Sequence, residues 1–479
     1  MCGFITTISK KEISNSDLLD ANKFISSRGP DQLNMLSFEK EGFYYQSIHN
    51  LLDISNSFIS QPIFSDLENL LLFNGEIYYP REKNPDTLNL YKELKNNNLS
   101  SYLKSARGEY AICTINTDQK VINIFTDLIG TKPIFFGIKK DSICISSYHS
   151  AIDHLSYKDI REVPPNQKIE IKYDDFTNLC INNEEFFLLD LAQKNDKYDS
   201  WIEAFLNSVK ERSIHFNSKI CVPLSSGYDS GAICCALNKL RIPYSTVTVG
   251  NSENKQILKK RILINKNFSC KKHYQLPPLN KKHSEQYTSF LKKKLGYIHY
   301  EHKDIKQKNP IMLHEDGGAI GLATLCEEIS SKGFNVIISG SGADEIISDY
   351  GFNGKKIYSH SEFGGKFPKD LKSIFPWKKF YGDSQRSYLK KDEMVSGLYG
   401  IEGRYPFLDL KVIQEFIHLK SDLKNKKYKS CISEFLEREN YPFEMNAKEG
   451  FNPMSSQMNI FEKLIIKSKK FLKIILFKN

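Results

Sequence analysis

The chain has 479 residues and a net charge of +10, from 67 Lys and Arg against 57 Asp and Glu, with 40% hydrophobic and 26% charged residues. At roughly 100 to 200 residues per domain this length calls for two or three domains, and the composition excludes a disordered or collagenous chain. The basic excess is spread along a Lys-rich chain. It suits a polyanionic ligand such as a nucleotide or a plain solvated surface, and does not require nucleic acid.

The opening MCGFITTISKKE has no long apolar run behind basic residues, so no secretory leader is read there. The ten cysteines are scattered without a CxxC pair, against a zinc ribbon or a redox dithiol and for a reducing, cytoplasmic setting. Cys2 follows Met1 directly. Removal of the initiator would leave a thiol beside a free α-amine of pKa about 7.7 to 8.0, a nucleophile and its general base in one residue.

Up to about residue 180 short β-rich runs alternate with turn residues, as in Leu70-Leu71-Leu72-Phe73 before Asn74-Gly75 and Tyr110 to Ile115 before Asn116. Alone, Asn74-Gly75 reads as a type I′ hairpin turn. The polar stretch Gln193 to Lys197 then separates a different pattern, which places a boundary between about 188 and 200. Trp201 to Ile214 has helical spacing, Ile220 to Leu224 reads as a strand, Ser230 to Leu240 as a helix and Tyr244 to Val249 as a strand, the alternation of a parallel α/β sheet. Asn335 to Ile338 is a further buried strand. The last twenty residues mix Ile, Leu and Phe with six lysines, a basic amphipathic tail too interrupted to span a bilayer. Docking of that tail on its own domain is favoured over contact with a membrane surface.

Cys2, the run Arg28-Gly29-Pro30-Asp31 and the run Phe73 to Tyr78 resemble the class II glutamine amidotransferases, which are N-terminal-nucleophile (Ntn) hydrolases. The resemblance implies catalysis by Cys2 with Asn74 and Gly75 as oxyanion-hole donors, and Glu76 with Asp86 on the glutamine amino group. Preorganised donors of that kind stabilise charge on a carboxamide oxygen by a few kcal/mol each. Two departures stand out: Leu51 and Thr126 occupy positions where the family carries arginine. Loss of a bidentate partner for the glutamine carboxylate puts the nitrogen source, glutamine or free ammonia, in question.

In the second half, Leu224-Ser225-Ser226-Gly227-Tyr228-Asp229-Ser230 follows a strand and opens a helix, and resembles the pyrophosphate loop of ATP pyrophosphatases, with Ser226 where glycine is usual. Ser339 to Glu345, Gly400 to Asp409 and Ala447 to Phe451 extend the resemblance to the asparagine synthetase family from Cys2 to about Phe451. It implies an α+β and α/β chain: an Ntn-hydrolase αββα sandwich over residues 2–190, a parallel-sheet ATP-pyrophosphatase domain (adenine nucleotide alpha hydrolase-like) over 198–458, and the tail at 459–479.

It also implies ATP and Mg²⁺, with Leu224, Ser225, Gly227, Asp229, Ser230, Val249, Ser339, Gly340 and Asp344 on the nucleotide, Asp229 and Asp344 on the metal, and Lys448 neutralising the pyrophosphate. Its substrates would be glutamine and a carboxylate acceptor, aspartate or another acid such as a sugar acid or peptide, with a homodimer allowed. Loss of catalysis, leaving a binding or regulatory relative, is the competing reading. Ser341 stands where asparagine synthetases carry Glu, and serine is no carboxylate base at neutral pH.

Overall fold

The computed structural model describes residues 2–54, 57–64, 68–80, 83–174, 176, 179–214, 219–250, 254–296, 298, 312–445 and 453. Lys448 and the tail at 459–479 lie outside the described residues. The first half runs β1 (Gly3–Ser9), α1 (Asn15–Asn22), β2 (Gln32–Lys40), β3 (Phe43–Leu51), β4 (Asn69–Tyr79), α2 (Asp86–Lys95), α3 (Leu99–Ser105), β5 (Arg107–Asn116), β6 (Val121–Thr126), β7 (Phe135–Lys139), β8 (Ser142–Ser146), α4 (His149–His154), β9 (Arg161–Glu162), β10 (Gln167–Lys172) and β11 (Cys180–Glu185).

These strands form two antiparallel sheets, ordered β2-β3-β1-β8-β7-β9 and β11-β10-β6-β5-β4. Both faces of their central strands are buried, and the period-2 alternation of side chains assigns each face its own core. Phe4 and Ile8 of β1 meet Leu70 and Leu72 of β4 between the sheets. Ile5 points the other way, to Leu18 of α1 and Ile152 of α4. Leu71 and Phe73 likewise face Leu90 of α2 and Leu103 of α3. The result is the expected αββα sandwich.

Asn74-Gly75 is not a hairpin turn. Both lie inside β4 and pair with Ala111 and Tyr110 of β5. The turn signal misleads because Gly75 is required for another reason: its φ is +145°, and a Cβ there would lie 2.0 Å from the Glu109 carbonyl oxygen.

The second half runs α5 (Asp199–Ser213), β12 (Ile220–Pro223), α6 (Tyr228–Lys239), β13 (Tyr244–Val249), α7 (Lys255–Asn267), β14 (Cys270–Leu276), α8 (Lys281–Leu295), α9 (Gly317–Ser331), β15 (Val336–Ile338), α10 (Ala343–Ile347), the small hairpin β16 (Gly351–Phe352) and β17 (Lys355–Lys356), α11 (Lys378–Tyr381), α12 (Ser384–Gly397), β18 (Glu402–Arg404), α13 (Leu410–His418), α14 (Ser421–Lys424) and α15 (Ser430–Arg438). Its main sheet is wholly parallel, in the order β14-β13-β12-β15-β18. From β12 the chain moves outward through β13 and β14, then returns to the other side of β12 with β15. That reversal puts the topological switch point, where such sheets bind ligands, between the ends of β12 and β15. No helix among the described residues is long and apolar enough to cross a membrane.

The two halves share buried cores: Ile5 and Ile48 pack with Leu291, Leu295 and Met394. They also share buried charge. Arg28 reaches Glu393 at 3.0 Å, Lys132 reaches Glu393 at 2.8 Å and Glu109 at 3.5 Å, Arg212 reaches Glu109 at 2.6 Å and Asp409 at 3.1 Å, and Arg107 meets Asp409 at 3.1 Å. Each carboxylate in this chain faces at least two cations, the arrangement under which a buried charge is tolerated.

Candidate active sites

β1 and β4 belong to different sheets, and at their ends Cys2 and Asn74 come together with an acidic cluster. Cys2 precedes β1 and its carbonyl accepts a 3.0 Å hydrogen bond from Arg28 Nε, which anchors its backbone to the strongly held Arg28. Burial pushes the Cys2 thiol above its usual value, while the positive charge of the chain's amino terminus pulls it back. Asn74 is fully buried, and neither its Nδ2 nor its Oδ1 has a hydrogen-bond partner among the described residues. A buried unpartnered amide is costly unless a ligand completes it, which is what an oxyanion donor requires.

Glu76 and Asp86 lie together. The Ile77 and Thr87 backbone N–H groups donate to Asp86 at 3.2 and 2.7 Å. Burial nevertheless raises Asp86 to about 6, with Glu402 adding to the rise, and burial with Asp86 and Glu402 nearby lifts Glu76 well above the usual carboxylate range. Glu402 itself is held below that range: burial opposes ionisation, but the amino-terminal charge, Arg404 and Lys132 outweigh it. A cationic amine placed among Glu76, Asp86 and Glu402 would restore ionisation to the first two.

Glu402 was not read as a site residue, because it comes from the other half of the chain. Strand β18 explains its reach. Glu402 and Arg404 face the Cys2 site, whereas Gly403 and Tyr405 line a cavity on the opposite side. Arg404 donates to Glu402 at 2.6 Å and lies 3.5 Å from Glu76.

That cavity, of about 570 Å³, sits at the switch point and is lined by Ser225, Asp229 and Ser230 after β12, Ser339, Gly340, Ser341 and Asp344 after β15, and Asp392 of α12. Leu224 and Val249 are buried beneath it, Leu224 N–H donating to Val247 and Thr248 Oγ1 to the Leu224 carbonyl. Gly227 caps α6 in an extended conformation. Ser225 and Ser230 hydroxyls meet at 2.8 Å, and Gly227 N–H donates to Ser225 Oγ at 3.1 Å. Ser226 has no positive φ, and its hydroxyl accepts from Asn254 N–H at 3.1 Å, so serine fits the loop without strain.

A second residue missed from sequence is Arg261 of α7. It is fully buried and donates to the Ser225 and Gly227 carbonyls at 2.6 and 2.7 Å. With those carbonyls turned back onto a guanidinium, the loop is left with its N–H side for an anion. Gly231 faces the same group; a Cβ there would lie 2.5 Å from Arg261 Nη2.

Asp229 and Asp344 converge on one cation: Lys429 Nζ is 2.6 Å from Asp229 Oδ1 and 2.8 Å from Asp344 Oδ1. Lys429 is buried, and although burial opposes its charge, the two carboxylates drive its pKa well up. Carboxylate oxygens are the donors Mg²⁺ prefers, and two of them suit an ion that takes its other ligands from phosphate and water. No cluster of three or more His, Cys, Asp or Glu metal donors occurs among the described residues.

Fold and sites together define an amidotransferase sandwich joined to a parallel-sheet domain with its own polar cavity. Residues 1–175 match the family model of a glutamine amidotransferase domain. The chain is 24% identical over 489 residues to putative asparagine synthetase (glutamine-hydrolyzing) 1 of Methanocaldococcus jannaschii, spanning 89% of this chain and 83% of that one. It is 24% identical over 439 residues to the asparagine synthetase domain-containing protein YML096W of Saccharomyces cerevisiae, spanning 82% and 79%. Among solved structures, the allosteric regulatory enzyme of purine biosynthesis gives a TM-score of 0.33 at 11% identity, covering 57% of this chain and 80% of that one. Residues 1–175 thus carry a glutamine amidotransferase domain, and along most of its length the chain is similar to proteins named for asparagine synthetase.

Proposed function

We propose that the protein is a glutamine-dependent, ATP-consuming amide ligase. With Met1 removed, the Cys2 thiol attacks the glutamine carboxamide as its α-amine takes the thiol proton and passes it to the departing ammonia, Asn74 Nδ2 and the Gly75 N–H receive the oxyanion, and water then hydrolyses the glutamyl thioester. Glu76 and Asp86 hold the glutamine amino group. Ammonia released there reaches the cavity on the far side of β18, where a carboxylate activated by ATP as its acyl adenylate is converted to the amide, with AMP and pyrophosphate as co-products.

The loop over Arg261 receives the phosphates, and Asp229 and Asp344 would hold Mg²⁺, which supplies neutralisation of the triphosphate. Lys429 balances the same two carboxylates from the protein side, and Lys448 acts on the pyrophosphate.

The observation that carries this reading is the pair of sites divided by one strand, β18, with Glu402 on one side and Gly403 on the other. Ser341 in place of the family glutamate favours an acceptor other than aspartate. The test is product formation from ATP, Mg²⁺, glutamine and a panel of carboxylic acids, read by mass spectrometry. Cys2→Ala should lose glutamine-driven product and keep ammonia-driven product; loss of both would refute the two-site arrangement, and no product from any acid with wild type would favour a binding or regulatory module.

A further inference from the structure

The synthetase cavity lacks a carboxylate where the family motif would put one, yet it is not without a carboxylate. Ser341 follows β15, and its hydroxyl donates to Asp392 Oδ2 at 2.6 Å. Ser339 Oγ donates to the same oxygen at 3.1 Å and lies 3.0 Å from Ser341 Oγ. Asp392 comes from the middle of α12, 51 positions further along the chain, and both it and Ser341 line the cavity that also holds Ser225, Asp229 and Asp344. We propose that Asp392 is the base of this cavity, taking through Ser341 the proton of the nitrogen that attacks the acyl adenylate. The inference rests on the ligase reading above.

Three features support it. A hydroxyl that donates its proton to a carboxylate keeps its lone pairs for an incoming N–H, so the Ser341–Asp392 pair is oriented to pass a proton in one direction. The backbone N–H of Ser341 donates to Ser339 Oγ at 3.2 Å, which fixes the turn that presents the hydroxyl. Burial raises the pKa of Asp392, offset by the Lys391 ammonium and the two serine hydroxyls, a balance that favours proton capture over that of a solvated carboxylate.

In the step itself the ammonia nitrogen forms a bond to the acyl carbon and the bond from that carbon to the AMP phosphate oxygen breaks, AMP leaving with the electron pair. The nitrogen proton passes to Ser341 Oγ as the hydroxyl proton moves to Asp392 Oδ2, and Asp392 later returns it to solvent.

The experiment compares two nucleophiles. Ammonium and hydroxylamine are supplied separately with ATP, Mg²⁺ and a panel of carboxylic acids beginning with L-aspartate, and amide and hydroxamate are quantified by mass spectrometry. Hydroxylamine attacks activated acyl groups with little help from a base, whereas ammonia depends on it. In Asp392→Asn the amide-to-hydroxamate ratio should fall on the order of 100-fold, the lower end of general-base contributions. Ser341→Ala should lower the ratio less, and Asp392→Glu should restore part of it.

A ratio unchanged in Asp392→Asn, or amide and hydroxamate lost together in all three variants, would overturn the assignment. Glutamate release at Cys2 reports that each variant is folded. Wild type that converts no acid with either nucleophile would bring down the ligase reading and this inference with it.

Discussion

Arg404 donates to Glu402 at 2.6 Å across a single intervening residue, and both are buried against the amidotransferase half. The guanidinium is also tied to the Arg212 carbonyl at 2.7 Å within its own half and lies 3.5 Å from Glu76 of the other, so this ion pair is fixed from both domains. Glu402→Gln should therefore leave a buried cation short of its counter-charge, a loss of about 3 to 5 kcal/mol for a broken buried pair. A lowered thermal melting midpoint together with a fall in both glutaminase and ammonia-driven activity is the expected outcome.

Asn74→Ala removes a side chain whose amide makes no hydrogen bond among the described residues. Glutaminase kcat should fall about 10²- to 10³-fold, as for other single oxyanion donors. The melting midpoint should hold or rise, since an orphaned polar group is gone. Glutamate release and a thermal melt measure the two.

On the proposed function, Asp86, raised to about 6, would tie glutamine binding to pH. Its ionised form is needed to face the substrate amine, so kcat/KM for glutamine should climb as pH rises through about 6, and Asp86→Asn should remove that inflection along with most of the binding. The stability sign is opposite. A folded pKa above the ordinary 3.8 means the folded chain holds the proton more tightly, so this contribution is present in acid and lost as pH rises through about 6. Denaturant midpoints at pH 5 and 8 in wild type and Asp86→Asn give the comparison.

Arg261→Met keeps an apolar stem but removes Nη1, which donates to both the Ser225 and Gly227 carbonyls. The loop should lose its fixed N–H orientation. KM for ATP should rise about tenfold or more, each lost charge-assisted bond being worth about 1.5 to 3 kcal/mol, while glutaminase activity, seated in the other half, is kept.

The architecture was legible because two periodicities divide the chain. Continuous apolar runs such as Leu70 to Phe73 mark a sheet buried on both faces, and the strand-helix repeat from Ile220 to Val249 marks a parallel sheet. The Cys2, Asn74-Gly75 and Ser225-to-Ser230 motifs were legible for a local reason: their chemistry lies within a few consecutive residues.

What stayed hidden depends on distant parts of the chain meeting. Arg261 on α7, Asp392 on α12 and Lys429 before α15 are single charged residues in a Lys-rich sequence, and nothing in their neighbours distinguishes them from a solvated surface. Glu402 lay in a recognised motif, but only the docking of two domains reveals which site it serves. At Asn74-Gly75 the local turn pattern, already outweighed by Cys2 and the Arg28-to-Asp31 run, gives way to a β ladder that needs glycine for close approach.

Strand β18 is three residues long, and alternate positions belong to different chemistry. Sliding it by one place would leave bare backbone on the Cys2 wall and push a charged side chain into the cavity wall, and a Cβ at Gly403 would lie 2.4 Å from the Tyr405 hydroxyl. Insertions and deletions are thus barred from this partition. Change in the proposed acceptor cavity must instead come from α9, because α12 carries Glu393, whose partner Arg28 holds the Cys2 backbone.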